Sequence, residues 1–246
     1  MADYSYIGSG RIYMEDLGAN PATGLIDIGN VSELTLTPAE DVKELLDYTS
    51  PGGGTYNEVR RISSVEMSMT IREFSPENIA RILRGNAAST VAGTITGEVH
   101  TANPGAFIPT QYPPVVVSAV TNSAGSTTYV QGTDYDVVPG GIVVTPGGGI
   151  TAGQIIHIDY SHLALDTVEA LVNAGKEYRI FFAGLNEARS GKEVTLDLYR
   201  VRLGVAQSVP LIGEDFAGYQ VGGKLLKDTT KTGIGVSQYF RAMLVA

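Results

Sequence analysis

The residues with the greatest capacity for chemistry in this chain are its three histidines, His100, His157 and His162. Zinc sites are built from imidazole, carboxylate and thiolate ligands that converge in space, and a strand end could bring His157, Asp159 and His162 together. His157, however, lies between two isoleucines, and that alternation predicts a position on the polar side of a strand. We therefore interpret these residues as surface polar groups rather than as a metal site.

Two glycine-rich runs, Gly8-Ser9-Gly10 and Gly52-Gly53-Gly54, are candidates for phosphate-binding loops. Such loops need glycines at fixed spacing before a helix, followed in the P-loop by a lysine. The first run precedes a strand-like segment and lacks a third glycine, and the second has no lysine in place. Both runs are predicted to be ordinary turns.

Other catalytic patterns are also weak. The G-x-S-x-G turn of serine hydrolases does not occur in the sequence. Asp134 and Asp136 could contribute to a calcium loop, but the twelve-residue pattern is missing and an Asp-rich β-turn is the better interpretation. We expect no catalytic residues, no cofactor and no metal ion, and hence a protein that is not an enzyme.

The charge pattern argues against a nucleic-acid-binding protein. The chain has 26 acidic and 17 basic residues, a net charge of −9, and no Lys or Arg between Arg84 and Lys176. Proteins that grip phosphates present clustered Lys and Arg. A net negative charge is compatible with a role in which DNA passes the protein without binding to it.

Composition favours a folded β protein. Thirty glycines and eleven prolines separate short apolar runs, and cysteine is absent, which excludes disulfides. The first ten residues lack the basic start and apolar stretch of a signal peptide. No apolar run approaches the roughly 20 residues that span a bilayer, so we expect a chain that is soluble when made.

The segment without Lys or Arg is predicted to contain a small module inserted at residues 105–164. Its five predicted strands are residues 115–121, 127–130, 135–138, 142–145 and 155–160. Glycine-rich turns separate them. They fit an inserted β sandwich better than an extension of a host sheet. With such an insert, residues 1–104 and 165–246 form one discontinuous domain.

The flanking parts contain clear strand patterns and one strong helix signal. Residues 65–72 alternate apolar and polar side chains, as do residues 33–37. Between residues 194 and 203 the alternation changes phase near Tyr199, which predicts a bulge or bend. Ser75 and Pro76 mark a helix start and Gly85 its end. A second short helix is predicted at residues 166–173, and residues 38–62 are interpreted as a long mobile loop or hairpin.

The order of several segments resembles the major tail tube protein family of long-tailed bacteriophages. The most specific part is Glu77-Asn78-Ile79-Ala80 followed by Leu-x-Gly at residues 83–85, which is similar to that family's single conspicuous helix. The matching segments are residues 10–37, 75–85, 128–135 with 155–160, 175–203, and 222–228 with 237–240. They cover most of the chain in family order.

The resemblance implies a mainly β fold, namely a tail-tube-type β sandwich or half-barrel with one flanking α-helix and an inserted immunoglobulin-like β module. It implies homo-hexameric rings stacked into a tube, a conduit for DNA ejection into the host cell. Implied partners are the tape measure protein inside the tube and the tail terminator and distal tail proteins at its ends, with DNA passing through unbound and no membrane contact. The implied location is the virion tail, after assembly in the host cytoplasm.

Two segments are the candidate assembly contacts. One is the N-terminal segment, whose apolar residues have no evident core partner. The other is the tip of the long loop at residues 38–62, a type of segment that orders against a neighbouring ring. The candidate residues are Tyr4, Tyr6, Ile7, Thr49, Pro51, Gly52, Gly53, Gly54, Thr55 and Tyr56. The alternative is that both segments are mobile surface loops.

Two other functions fit the sequence less well. A capsid decoration or baseplate subunit could carry the same β module, but a decoration protein would not polymerise alone. A secreted carbohydrate-binding module would be expected to present an exposed aromatic platform, and the chain has no Trp.

Overall fold

The protein is described by a computed structural model, which covers residues 5–49 and 51–245. These residues are mainly β. The strands, in chain order, are β1 (Gly8–Asp16), β2 (Ile26–Asp27), β3 (Val31–Leu46), β4 (Thr55–Ile71), β5 (Asn86–Thr90), β6 (Gly93–Ala102), β7 (Phe107–Pro109), β8 (Val116–Asn122), β9 (Tyr135–Val138), β10 (Gly141–Val144), β11 (Gln154–His162), β12 (Leu165–Glu169), β13 (Glu177–Asn186), β14 (Lys192–Leu203), β15 (Tyr219–Leu225) and β16 (Phe240–Leu244). The described residues also contain one α-helix, α1 (Pro76–Ile82), and a 3₁₀ turn at Glu187–Arg189.

The chain divides into two compact units. The second unit is Ala88–Thr167, and the first is formed by the chain on either side of it. The sequence boundary at residue 105 is therefore corrected to residue 88. The reason is that β6 pairs along its length with β11, a strand of the second unit, so residues 93–102 cannot belong to the flanking domain.

The first unit is organised around an eight-stranded sheet with the order β2-β1-β13-β14-β15-β4-β3, and β16 also pairs with β14. The alternation predicted for residues 65–71 is confirmed, since Val65, Met67, Met69 and Ile71 are all buried. Side chains two residues apart share one face of a strand, so these four form a stripe of the core.

The predicted irregularity near Tyr199 is also confirmed. Tyr178 of β13 pairs with Val201, whereas Ile180 pairs with Leu198, so β14 contains one residue more than its partner between these pairs. A bulge of this kind reverses the phase of the strand, and it keeps Leu198, Tyr199 and Val201 all buried.

Helix α1 begins as its sequence predicts. The Ser75 hydroxyl accepts a hydrogen bond from the backbone N–H of Asn78 at 3.2 Å, and Pro76 occupies the first turn. The buried Ile82 anchors the helix in the core. The amide of Gly85 donates to the carbonyl of Ala80 at 2.7 Å just after the helix.

The prediction of a second helix at residues 166–173 is wrong. Residues 165–169 form β12, which pairs with β5 in a two-stranded sheet. The β-branched pair Thr167-Val168 suits a strand, and Leu171 has a φ of +62°, which a helix does not accommodate.

The second unit contains two three-stranded sheets, β6-β11-β8 and β7-β10-β9. Its core is formed by residues such as Ile142, Ile156 and Ile158. Four of the five strands predicted here are observed. The exception is residues 127–130, where the structure shows only an isolated bridge between Thr121 and Thr128. Two backbone hydrogen bonds still join this segment to β8, from the Asn122 amide to the Thr127 carbonyl at 3.0 Å and from the Tyr129 amide to the Val120 carbonyl at 2.8 Å. The Asn122 side chain also accepts from the amides of Ser126 and Thr127.

Candidate assembly surface

The N-terminal candidate residues lie at the edge of the first unit. Tyr4 lies outside the described residues, whereas Tyr6 and Ile7 are 52% and 61% exposed. The Ile7 amide donates to Oδ1 of Asn186 at 3.2 Å, and its carbonyl accepts from the Glu187 amide at 2.8 Å. The backbone is thus fixed against the end of β13, while the Tyr6 ring lies over Gly8 and both side chains stay at least half exposed.

The run at residues 8–10 is part of β1 and not a turn, which corrects the sequence interpretation. Gly8 and Gly10 pair with Asn186 and Gly184 of β13. A side chain at Gly10 would meet the backbone of Ala183 and Gly184. The glycine is explained by this close approach of two strands.

The long segment at residues 38–62 is a hairpin, the second of the two possibilities that the sequence left open. From Glu40–Ile62 to Leu46–Thr55, β3 and β4 stay paired in antiparallel register. We call residues 40–62 the arm. Every residue of 40–46 and 55–62 is exposed. At its end, the Asp47 amide donates to the carbonyl of Gly54 at 2.7 Å.

The candidate residues of the loop lie either at the tip of the arm, between β3 and β4, or in the first two residues of β4. The Asp47 carboxylate accepts from the backbone N–H of Thr49 at 2.7 Å, a local turn that orders this side of the tip. Ser50 lies outside the described residues. The run at residues 52–54 is a turn, as predicted, and all three glycines have positive φ. Thr55 and Tyr56 open β4, and Tyr56 is 71% exposed.

The arm has two uncovered faces. Residues paired across an antiparallel ladder point to the same side, so Val42 and Arg60 share one face while Lys43 and Val59 share the other. Each face mixes apolar and charged groups. The arm and its tip carry seven exposed apolar residues: Val42, Leu45, Leu46, Tyr48, Tyr56, Val59 and Ile62.

Ion pairs organise the polar part of the arm. On one face Arg60 lies 2.9 Å from Glu58 and 3.6 Å from Glu40, and on the other Lys43 lies 3.4 Å from Asp41. The hydrogen bond from Arg60 lowers the pKa of the Glu58 carboxyl. These pairs are exposed and contribute little to stability, so the arm depends on its backbone ladder.

Both edges of the arm are also open. β3 is the last strand of the sheet order, and the pairing of β15 with β4 ends at Glu66. Among the described residues, the outward N–H and C=O groups of the arm therefore have no neighbouring strand. Unpaired edges of this length are templates for another strand.

The histidines do not form a shared site. His157 is half-buried between the buried Ile156 and Ile158, as its alternation predicted. His162 is buried instead of exposed, and its ring packs on that of Tyr112 with centroids 4.5 Å apart. Within residues 5–49 and 51–245, no group of three His, Asp or Glu side chains is placed to hold a metal ion.

Asp134 has a structural role. Its carboxylate accepts hydrogen bonds from the backbone N–H groups of Val130 and Gly149 at 2.8 and 2.7 Å. These two bonds lower the pKa of Asp134 and tie two turns together. Asp136 is exposed on β9.

A hydrogen-bond cluster around Glu98 was missed by sequence reasoning. The Glu98 carboxylate accepts from the Tyr160 hydroxyl at 2.6 Å, from the Gln111 amide at 2.9 Å, and it contacts Nε2 of His100 at 2.7 Å. Burial disfavours the charged form, but these hydrogen bonds outweigh it, and the pKa of Glu98 is lowered. A sequence signal existed for one part of the cluster, since Glu98 and His100 are two residues apart, a spacing that places side chains on one face of a strand.

None of the helices in the described part of the chain is long and apolar enough to cross a membrane. The model of the family described as "Protein of unknown function UCP028589" matches residues 5–243. A search of curated proteins finds no match.

Proposed function

We propose that this chain, which belongs to the family UCP028589, is the subunit of a bacteriophage tail tube. In this proposal copies of the chain form hexameric rings, the rings stack, and the resulting tube conducts DNA into the host cell. The single observation that carries the proposal is the arm, a ribbon with two uncovered faces and two open edges.

The arm is difficult to account for in an isolated chain. A two-stranded hairpin is marginally stable in water unless further strands or a helix cover it. Here the ladder extends beyond the sheet from Glu40–Ile62 onward, and side chains such as Leu45 and Val59 remain about half exposed. A second copy of this chain is the partner that the tail tube resemblance supplies.

Self-assembly through the arm accounts for its chemistry. An arm that packs on a different part of the next copy makes a heterologous contact, which closes into a ring or continues as a filament. Mixed apolar and charged faces are typical of interfaces that both exclude water and fix a register. Strand edges joined between copies would extend the eight-stranded sheet of each subunit into a continuous barrel.

The finer features of the fold belong to the same proposal. The first unit is mainly β and has one α-helix among its described residues, which is compatible with a tail-tube-type half-barrel. The second unit, two three-stranded sheets around one core, is compatible with an immunoglobulin-like module. A net charge of −9 would disfavour adhesion of DNA phosphates to a lumen.

Negative-stain electron microscopy of the purified protein, concentrated stepwise, tests the proposal. We expect rings or hollow tubes with sixfold end views. A chain that remains monomeric at every concentration contradicts the proposal and favours a decoration protein.

An armless variant links the assembly to the arm. Residues 41–61 are replaced by Asn-Gly, because Glu40 and Ile62 face each other across the ladder and a two-residue turn can join them. We expect a cooperative thermal unfolding transition close to that of the full chain, and no rings. Tubes of normal length from this variant would refute a role for the arm.

Point variants provide a matched control. The change of Leu45 and Val59 to Ser removes apolar side chains that are 53% and 47% exposed on the arm. The control changes Ile155 and Val99 to Ser, side chains of the second unit that are 47% and 61% exposed. Only the arm variant is expected to lose assembly.

A further inference from the structure

A cavity of about 380 Å³ in the first unit is lined by three basic side chains, Arg81, Arg84 and Lys176. Arg81 and Arg84 lie at and just beyond the end of α1, and Lys176 precedes β13. Asp16 and Glu77 also line it. We call it the arginine cavity.

The two guanidinium groups of the cavity lack a carboxylate. Lys176 is neutralised by Asp16 at 2.8 Å, but among the described residues no Asp or Glu oxygen lies within 4 Å of Arg81 or Arg84. Arg81 donates to the side-chain oxygen of Asn78 at 2.7 Å, and Arg84 donates to the carbonyl of Leu203 at 3.2 Å.

Arg84 has an unused donor. Its Nε is buried without a hydrogen-bond partner in the described structure. Its backbone is left-handed, with a φ of 50°, a conformation that costs a non-glycine residue about 1 kcal/mol or more. Guanidinium groups bind two oxygens of a carboxylate or of a phosphate in a bidentate manner, so the cavity is suited to either anion.

A complementary segment projects from the same unit. Residues 211–216, between β14 and β15, include Glu214 and Asp215, which are exposed and form no ion pair within 4 Å with any described residue. On either side of these acids, Ile212 is 98% and Phe216 94% exposed. We call this segment the acidic loop. Its base is held by a hydrogen bond from Arg72 to the carbonyl of Phe216 at 2.9 Å.

We propose that the acidic loop of one copy places Glu214 and Asp215 in the arginine cavity of a second copy. The inference rests on the proposed self-assembly and names a contact within it. Two adjacent acids match two arginines that have no carboxylate partner, and burial of Ile212 and Phe216 against the second copy would remove two exposed apolar side chains from water. Since each copy carries one loop and one cavity, the contact is heterologous and can repeat around a ring.

Charge exchange tests the contact. One variant changes Arg81 and Arg84 to Glu, another changes Glu214 and Asp215 to Arg, and a third combines all four changes. We expect each two-residue variant to weaken self-association at least about tenfold in analytical ultracentrifugation, and the combined variant to regain it. Asp136→Arg, an exposed change in the second unit, is the control and should have no effect.

Cysteine cross-linking tests the same contact without tubes and without changing the arginines. The chain has no cysteine, so Asp215→Cys and Ala87→Cys, a residue lining the cavity, can be made in separate preparations and mixed. Oxidation should produce dimers joined between positions 215 and 87, identified by mass spectrometry. Dimers joined only between identical positions, or none, would overturn the contact.

The outcomes separate this inference from the proposed function. Rings formed equally well by the charge-exchange variants would overturn the contact while the tube proposal stands. Stabilisation of the wild-type chain by inorganic phosphate, together with unchanged association of those variants, would make the cavity a small-anion site and overturn the contact. A wild-type chain that stays monomeric, together with no cross-link between the Asp215→Cys and Ala87→Cys variants, contradicts both.

Discussion

Replacement of Glu98 by Gln removes the charge at the centre of the hydrogen-bond cluster in the second unit. The Glu98 side chain is 15% exposed, and its carboxylate is held by the Tyr160 hydroxyl, the Gln111 amide and His100. Tyr160 itself is fully buried. Loss of this charge should therefore weaken the link between β6, β11 and the segment at residue 111.

The expected loss of unfolding free energy follows from the number of groups that donate hydrogen bonds to the Glu98 carboxylate. A hydrogen bond to a charged group contributes about 1.5–3 kcal/mol and a neutral one about 0.5–1.5. Gln keeps one acceptor oxygen, and its amide can donate to the Tyr160 oxygen, so we expect Glu98→Gln to cost about 1–2 kcal/mol at neutral pH. Glu98→Ala leaves all three donors without a partner and should cost about 3 kcal/mol.

The effect should depend on pH. The pKa of Glu98 is lowered in the folded chain, so its stabilising contribution is present above the unfolded value of about 4.3 and is lost as the pH falls through the folded pKa. The difference in unfolding free energy between wild type and Glu98→Gln should therefore shrink as the pH falls below about 4.3.

Hydrogen exchange of the full-length chain, read by mass spectrometry in peptides from β6 and β11, measures this difference locally. Spectrophotometric titration gives a second readout, because burial and the hydrogen bond to Glu98 raise the pKa of Tyr160 to about 12. We expect that pKa to fall in Glu98→Gln. Equal protection of the two proteins at pH 7, or a difference that stays constant down to pH 3, would refute the reasoning.

Two further variants test the first unit. Ser75→Ala removes the side-chain cap of α1 and should lower the free energy of unfolding by about 1 kcal/mol, whereas Ser75→Asp should retain it; urea denaturation distinguishes them. Gly10→Ala would force a methyl group against the backbone of Ala183 and Gly184 and should cost about 1–3 kcal/mol. Gly24→Ala is the control for backbone strain alone, because Gly24 has a positive φ and no atom of the described residues would lie within 4 Å of the added methyl group. Equal unfolding midpoints for Gly10→Ala and Gly24→Ala would contradict the steric explanation.

Local patterns in the sequence determined several elements. The alternation at residues 65–71 predicts the buried stripe of β4, and the phase change at Tyr199 predicts the bulge of β14. Ser75 and Pro76 predict the start of α1. These features depend on residues close together in the chain, and each has a period or a cap that can be read directly. The net charge of −9 is likewise a property of the sequence alone.

Pairing between distant residues was decided only by the tertiary structure. Residues 165–169 carry a helix-like signal but pair with β5, and β6 joins the second unit because β11 is its partner. The Glu98 cluster joins residues 62 positions apart, and the arginine cavity combines α1 with the start of β13. Such contacts produce no periodic pattern in the sequence, because they join residues that are far apart in the chain and depend on how the elements pack.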